Sequence, residues 1–120
     1  MKQLLLVFLG GGAGSVLRYL VSRYLNAGDG IPLGTFAVNV LGSLFIGLIL
    51  GILWKSQSLS ENTTLLLATG FCGGFTTFSA FAFENQLLLK SGDYLSALFY
   101  IAGSIVVGIG AVFLGMFLVR

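Results

Sequence analysis

The chain has 120 residues, 57% of them hydrophobic and 8% charged, with a mean hydropathy of +1.02. That balance excludes an ordinary water-soluble domain and places the chain in a lipid bilayer. A net charge of +2, scattered along the chain, excludes a nucleic-acid partner, and with no histidine and a single cysteine, Cys72, neither a zinc site of the usual spacing nor an internal disulfide can form.

A membrane helix needs roughly 20 mostly apolar residues, and four such spans are predicted, at about 3–25, 33–54, 62–90 and 94–119. The first opens on Met1-Lys2-Gln3 and the run LLLVFL, which imitates a secretory signal with a cleavage region at Ala13-Gly14-Ser15. The run is too short before Gly10, and the helical pattern continues through Tyr24, so it reads as the first membrane helix. Gly10 and Gly14 stand four apart, but they lack the spacing and the βαβ setting of a dinucleotide fingerprint. Small residues recur at this interval in Gly47 and Gly51, in Ser104 and Gly108, and in Ala111 and Gly115, a pattern that predicts close helix packing. Arg18, near the far end of the first span, is either a positive vestibule or a snorkelling structural arginine.

The second span is apolar apart from a few positions, among them Thr35, Asn39 and Ser43, which are spaced by four and share one helix face. An asparagine in mid-span needs a partner, either another helix or something passing by, and the surrounding stripe favours a pore. The third span contains GFCGGFTTFSAFAF from Gly70 to Phe83. Two adjacent glycines followed by two threonines predict a helix broken in mid-membrane, near Gly74 and Thr77. In hydrocarbon such a break is tolerated only inside protein or beside a polar cavity, and it often marks an ion or substrate site. Beyond the break, Thr77, Phe81 and Glu84 share one face, with Phe78 three residues before Phe81; the fourth span adds Tyr100 and Ser104, again four apart. The connectors are Asn26 to Pro32, Lys55 to Glu61 and Ser91 to Asp93, leaving residues 1–120 as one four-helix transmembrane unit with no soluble domain.

Four spans put both termini on one side, with Lys2, Lys55 and Arg120; Arg18, Arg23 and Lys90 fall towards the other. This tie gives no clear orientation signal, so copies are expected to insert both ways and to pair antiparallel. Hydroxyls, one amide and the positive edges of phenyl rings suit a small anion, whereas a proton-coupled cation pump wants an acidic residue in mid-span.

Three stretches, GGGAGSVLRY at Gly10 to Tyr19, GTFAVNVLGSLFIG at Gly34 to Gly47 and GFCGGFTTFSAF at Gly70 to Phe81, resemble the signatures of the CrcB/Fluc fluoride channels. The resemblance spans essentially the whole chain. It implies an all-α integral membrane protein of the cell inner membrane, an antiparallel homodimer with two pores that passively export fluoride and relieve its toxicity. It further implies that Asn39 lines the pore and that Phe78 and Phe81 turn ring edges to the ion. Thr77, Ser79, Tyr100, Ser104 and Glu84 are then candidates for a polar track, Arg18 for a vestibule, and the main-chain carbonyls of Gly73 and Thr76 for a sodium ion at the dimer centre. Family members commonly carry threonine where this chain has Ala80, so one hydroxyl beside Phe81 is missing. The alternative is a small dual-topology multidrug/proton antiporter, which shares the layout but relies on an acidic residue in the first span, where this chain has none.

Overall fold

The computed structural model describes residues 1–56 and 58–120 and contains helices and connectors, with no strand among the described residues. Helix α1 (Lys2–Leu25) and helix α2 (Leu33–Ser56) are continuous. The third span, Glu61–Lys90, is built from four pieces: α3 (Glu61–Thr64), a π-helical stretch (Leu65–Cys72), α4 (Gly73–Phe75) and α5 (Phe78–Lys90). Helix α6 (Tyr94–Leu118) closes the chain. Four segments are long and apolar enough to cross a membrane, at the positions expected from the sequence to within two residues.

Local chemistry sets the boundaries. Ser60 caps α3 by accepting the Thr63 amide, and Asp93 caps α6 by accepting that of Ser96. Between α5 and α6 the chain reverses through Gly92, at φ +83°. The Gly92 and Asp93 amides bond back to the carbonyls of Leu89 and Leu88, a closure that requires the left-handed backbone glycine adopts without strain.

Packing follows the small residues. A Cβ on Gly10 or Gly14 would run into the backbone of Leu66, Phe71 or Phe75, and one on Gly74 into Gly11, so α1 lies backbone against backbone on the first half of the third span. On the other side, Gly47 abuts the backbone of Val112 and Gly115 that of Leu44 and Leu48, which seats α6 on α2. In a bilayer no hydrophobic effect drives helices together, and such close approach supplies the dispersion contacts that do. The result is a slab of 48 × 31 × 19 Å, its thin dimension under two helix diameters. Within α6, only 11% of the most apolar window is buried by the rest of the chain, so lipid or another protein must cover the remainder.

Candidate functional site

The third span breaks where its sequence predicts. Thr76 (φ −87°, ψ 157°) and Thr77 (φ −152°, ψ 119°) are both extended, and α5 restarts at Phe78. A broken helix strands carbonyls on one side and amides on the other. Other helices take up several of them. Asn39 of α2 holds Thr77 at both ends: the Thr77 amide donates to Asn39 Oδ1 at 2.7 Å, and Asn39 Nδ2 donates to the Thr77 carbonyl at 3.1 Å. From α1, Arg18 Nε donates to the Gly74 carbonyl at 3.0 Å and Ser15 Oγ to the same oxygen at 3.4 Å.

Arg18 is therefore placed at the depth of the break rather than in the far-end position its sequence location suggested. It caps the negative end of the first half-helix, which compensates a charge otherwise expensive at that depth. Ser15, its companion, carried no sequence signal beyond a hydroxyl one turn earlier on the same helix.

The asparagine's role is also more structural than a stripe of polar residues suggests. Of the stripe, Asn39 and Ser43 border a groove of about 470 Å³, while Thr35 is fully buried and accepts a hydrogen bond from Asn26 Nδ2 at 3.1 Å. Asn26 also accepts the Gly34 amide at 2.7 Å, so Thr35 and Asn26 together fasten the start of α2. Sequence reasoning missed Asn26, because only the folded connector brings it to the helix it holds.

The groove collects most of the expected site residues: Asn39, Gly73, Thr76, Thr77, Phe78, Phe81 and Ser104 all line it. Phe78 projects from it, 79% exposed, with its ring centroid 5.8 Å from that of Phe81. Phe81 in turn meets Tyr100 edge to face at 5.0 Å, which puts Tyr100 behind the ring, buried. Ser79 lies on the exposed side, its hydroxyl 3.3 Å from that of Thr77. Glu84 borders a different cleft, with Asp29, Lys90 and Asp93, and stands beside Thr35 and Tyr100. The site thus divides into a groove at the break and a deeper polar group towards the α5–α6 turn. Thr77 belongs to the first as a cap, not as part of a helical face with Glu84.

Hydrogen-bond bookkeeping gives the groove a sign. Thr77 Oγ1 accepts the Ala80 amide at 3.1 Å and lies 3.3 Å from Ser79 Oγ, so its own hydrogen can go to that hydroxyl or into the groove. Asn39 Oδ1 is occupied, while Nδ2 keeps one of its two hydrogens. The Ser104 hydroxyl, on the groove, and the Tyr100 hydroxyl, behind Phe81, are buried with no partner. Thr76 is the exception, since its hydroxyl donates to the Cys72 carbonyl at 2.9 Å. Ala80 contributes its amide to the Thr77 cap, and this needs no hydroxyl at that position. Asn39, Thr77 and Ser104 therefore bring to the groove donors that can turn to an anion.

Carbonyls tell a second story. In a continuous helix the Thr77 amide would close on Gly73, but it is turned to Asn39, which leaves the Gly73 carbonyl without its helical partner on an exposed stretch of chain. No group of His, Cys, Asp and Glu among the described residues is arranged to hold a metal ion, so a cation at this place would meet backbone oxygen.

Four membrane-spanning helices, one interrupted beside a groove that carries several polar side chains, define a small multi-pass membrane protein of the channel and transporter kind. Residues 5–116 match the family model described as CrcB-like protein, Camphor Resistance (CrcB), and the chain belongs to this family. It is 48% identical over 122 residues to a protein of Gloeothece citriformis named Fluoride-specific ion channel FluC, a match covering 100% of this chain and 98% of that one. A protein of the same name from Phocaeicola vulgatus is 51% identical, with 98% of each chain covered. Another, from Chlorobaculum tepidum, is 48% identical over 100% of this chain and 96% of its own.

Proposed function

We propose that this chain is a fluoride channel, which lets fluoride leave the cell passively and so limits its toxicity. The observation that carries the reading is the Asn39-held break, which opens a mid-membrane groove lined by hydrogen-bond donors and two phenylalanine rings. Selectivity for fluoride is taken from the full-length relatives that bear that name. The antiporter reading finds no footing, because α1 carries no acidic residue.

Fluoride holds its water tightly, so a narrow path must replace those hydrogen bonds with fixed donors, none strong enough to trap the ion. Asn39 Nδ2, the Thr77 hydroxyl and the Ser104 hydroxyl supply neutral donors in succession, and Phe78 and Phe81 supply weakly positive ring edges. Tyr100 extends the track towards the α5–α6 turn, where Glu84, both of its carboxyl oxygens buried without partners, can donate to an anion only as the neutral acid, and Ser79 stands beside the entrance. Arg18 acts from behind: it holds the end of the first half-helix and adds positive potential at the depth of the break.

The working unit in this proposal is an antiparallel homodimer with two pores. Three features support it: the nearly even division of the flanking cations, the thin slab with α6 mostly uncovered, and the Phe78 ring that projects beyond its own protomer. A sodium ion at the dimer centre would be held by the Gly73 and Thr76 carbonyls of both copies. The fit rests on the Gly73 carbonyl, stripped of its helical partner, and on the extended backbone at Thr76. Such an ion would supply charge that fastens two broken helices end to end.

The test is efflux from liposomes loaded with fluoride or chloride, with the membrane potential clamped. Rapid loss of fluoride with chloride retained is the expected result. Retention of both anions, together with proton-driven uptake of a cationic dye, would return the antiporter.

A further inference from the structure

Far from the break, at the end of the molecule where α2 finishes and α6 runs out, lies a second cleft of about 740 Å³. We propose that it is a headgroup site for an anionic phospholipid. Its floor is the close approach of Gly51 to Met116, where a Cβ on the glycine would press on the Met116 backbone. Its mouth carries two cations, Lys55 and Arg120, on successive ends of the two helices. Its walls are Trp54, Phe113 and Phe117, all well exposed within the protomer.

Within one protomer no acidic side chain compensates the positive charge at this mouth. The protein has four acidic residues. Asp29, Glu84 and Asp93 line the cleft at the opposite end, and the fourth, Glu61, accepts a hydrogen bond from Gln3 of α1 at 3.1 Å. None lines the Lys55–Arg120 cleft. Two cationic side chains, one in the last turn of α2 and one just past α6, with no acidic side chain between them, attract an anionic headgroup.

The apolar walls say which anion. Phe113 and Phe117 stand four apart on α6, one above the other, so the trough continues from the cationic mouth along the helix into the hydrocarbon. A soluble phosphate would use the cations and leave the trough empty; a phospholipid fills both, with phosphate on Lys55 and Arg120 and an acyl chain against the rings. Trp54 stands at the boundary, where its amphipathic ring is favoured.

Trp54 is the only tryptophan of the chain, so its fluorescence reports on this cleft alone. The protein is reconstituted into phosphatidylcholine vesicles containing a graded fraction of phosphatidylglycerol, or of phosphatidylcholine, brominated near the top of one acyl chain. Each cation near the surface favours an anionic headgroup by about fivefold. Two such cations together make a preference of about twenty-five-fold, so brominated phosphatidylglycerol is expected to half-quench Trp54 at roughly one twenty-fifth of the fraction brominated phosphatidylcholine needs. The double substitution Lys55→Gln and Arg120→Gln is expected to erase that preference. Equal quenching of the unaltered protein by the two lipids overturns the proposal without recourse to any variant. So does weak quenching by both, which would mean that a second copy covers the cleft. Loss of the preference on adding glycerol phosphate to the buffer overturns it in favour of a soluble anion.

Discussion

Asn39 shows how one side chain can decide whether a broken span survives in lipid. Its amide pairs with both the N–H and the C=O of Thr77, so a single residue replaces two hydrogen bonds that the helix gave up. Asn39→Ala would leave both backbone groups without partners in a place with little water. The expected loss lies between about 1 kcal/mol, the ordinary worth of a bilayer side-chain hydrogen bond, and about 3 kcal/mol for an orphaned amide. Thermal unfolding of the purified protein measures it, and fluoride efflux is expected to fall with it. Unchanged melting would mean that the break holds itself. The sequence marked Asn39 as a residue in need of a partner but left open which one, because the nearest polar group in space lies 38 positions away.

At the scale of elements, the decisive contact is between α1 and the first half of the third span. Gly14 tests it directly, since an added Cβ would meet the Phe71 carbonyl and the Phe75 amide, neither of which can swing aside. Gly14→Ala is expected to destabilise the fold by about 1–3 kcal/mol, as overpacking does, and to draw Arg18 and Ser15 off the Gly74 carbonyl. Gly110→Ala on α6 is its control: nothing lies within 4 Å of the added methyl, and alanine is the better helix former. Melting temperatures of the two variants should therefore move in opposite directions, or Gly110→Ala not at all. Similar losses in both would show that glycine matters here for flexibility rather than for close approach. The spacing of small residues was legible in the sequence; which glycine faces which helix was not. Nor did any residue pattern announce the π-helical turns over Leu65–Cys72, whose wider winding appears only once the span is packed.

For the whole molecule, the question is orientation. Lys2, Lys55 and Arg120 flank one side, and Arg23 and Lys90 the other, with Arg18 drawn inward to the break. A three-to-two division is still a weak instruction, so reporters fused to the C-terminus should appear on both sides of the membrane. Three lysines added after Arg120 are expected to fix one orientation and to reduce efflux. Co-expression with a copy biased the other way should restore it. A single location for the unaltered protein would count against antiparallel pairing, although it would leave the groove as it stands.

Hydropathy and spacing alone determined that there are four spans, where each begins and ends, that the third is interrupted, and which side chains can neither face lipid nor stand alone. These are local properties, readable because twenty apolar residues or a Gly-Gly-Phe-Thr-Thr run mean much the same wherever they occur in a bilayer. Only the tertiary structure decided what each exceptional residue meets. It paired Asn39 with Thr77, sent Arg18 to Gly74, turned Thr35 away from the groove to Asn26, and set Glu84 apart from Phe78. The reason is that a hydrogen bond is made between groups at about 3 Å in space. That separation depends on how α1, α2 and the two half-helices pack, and distance along the chain does not reveal it.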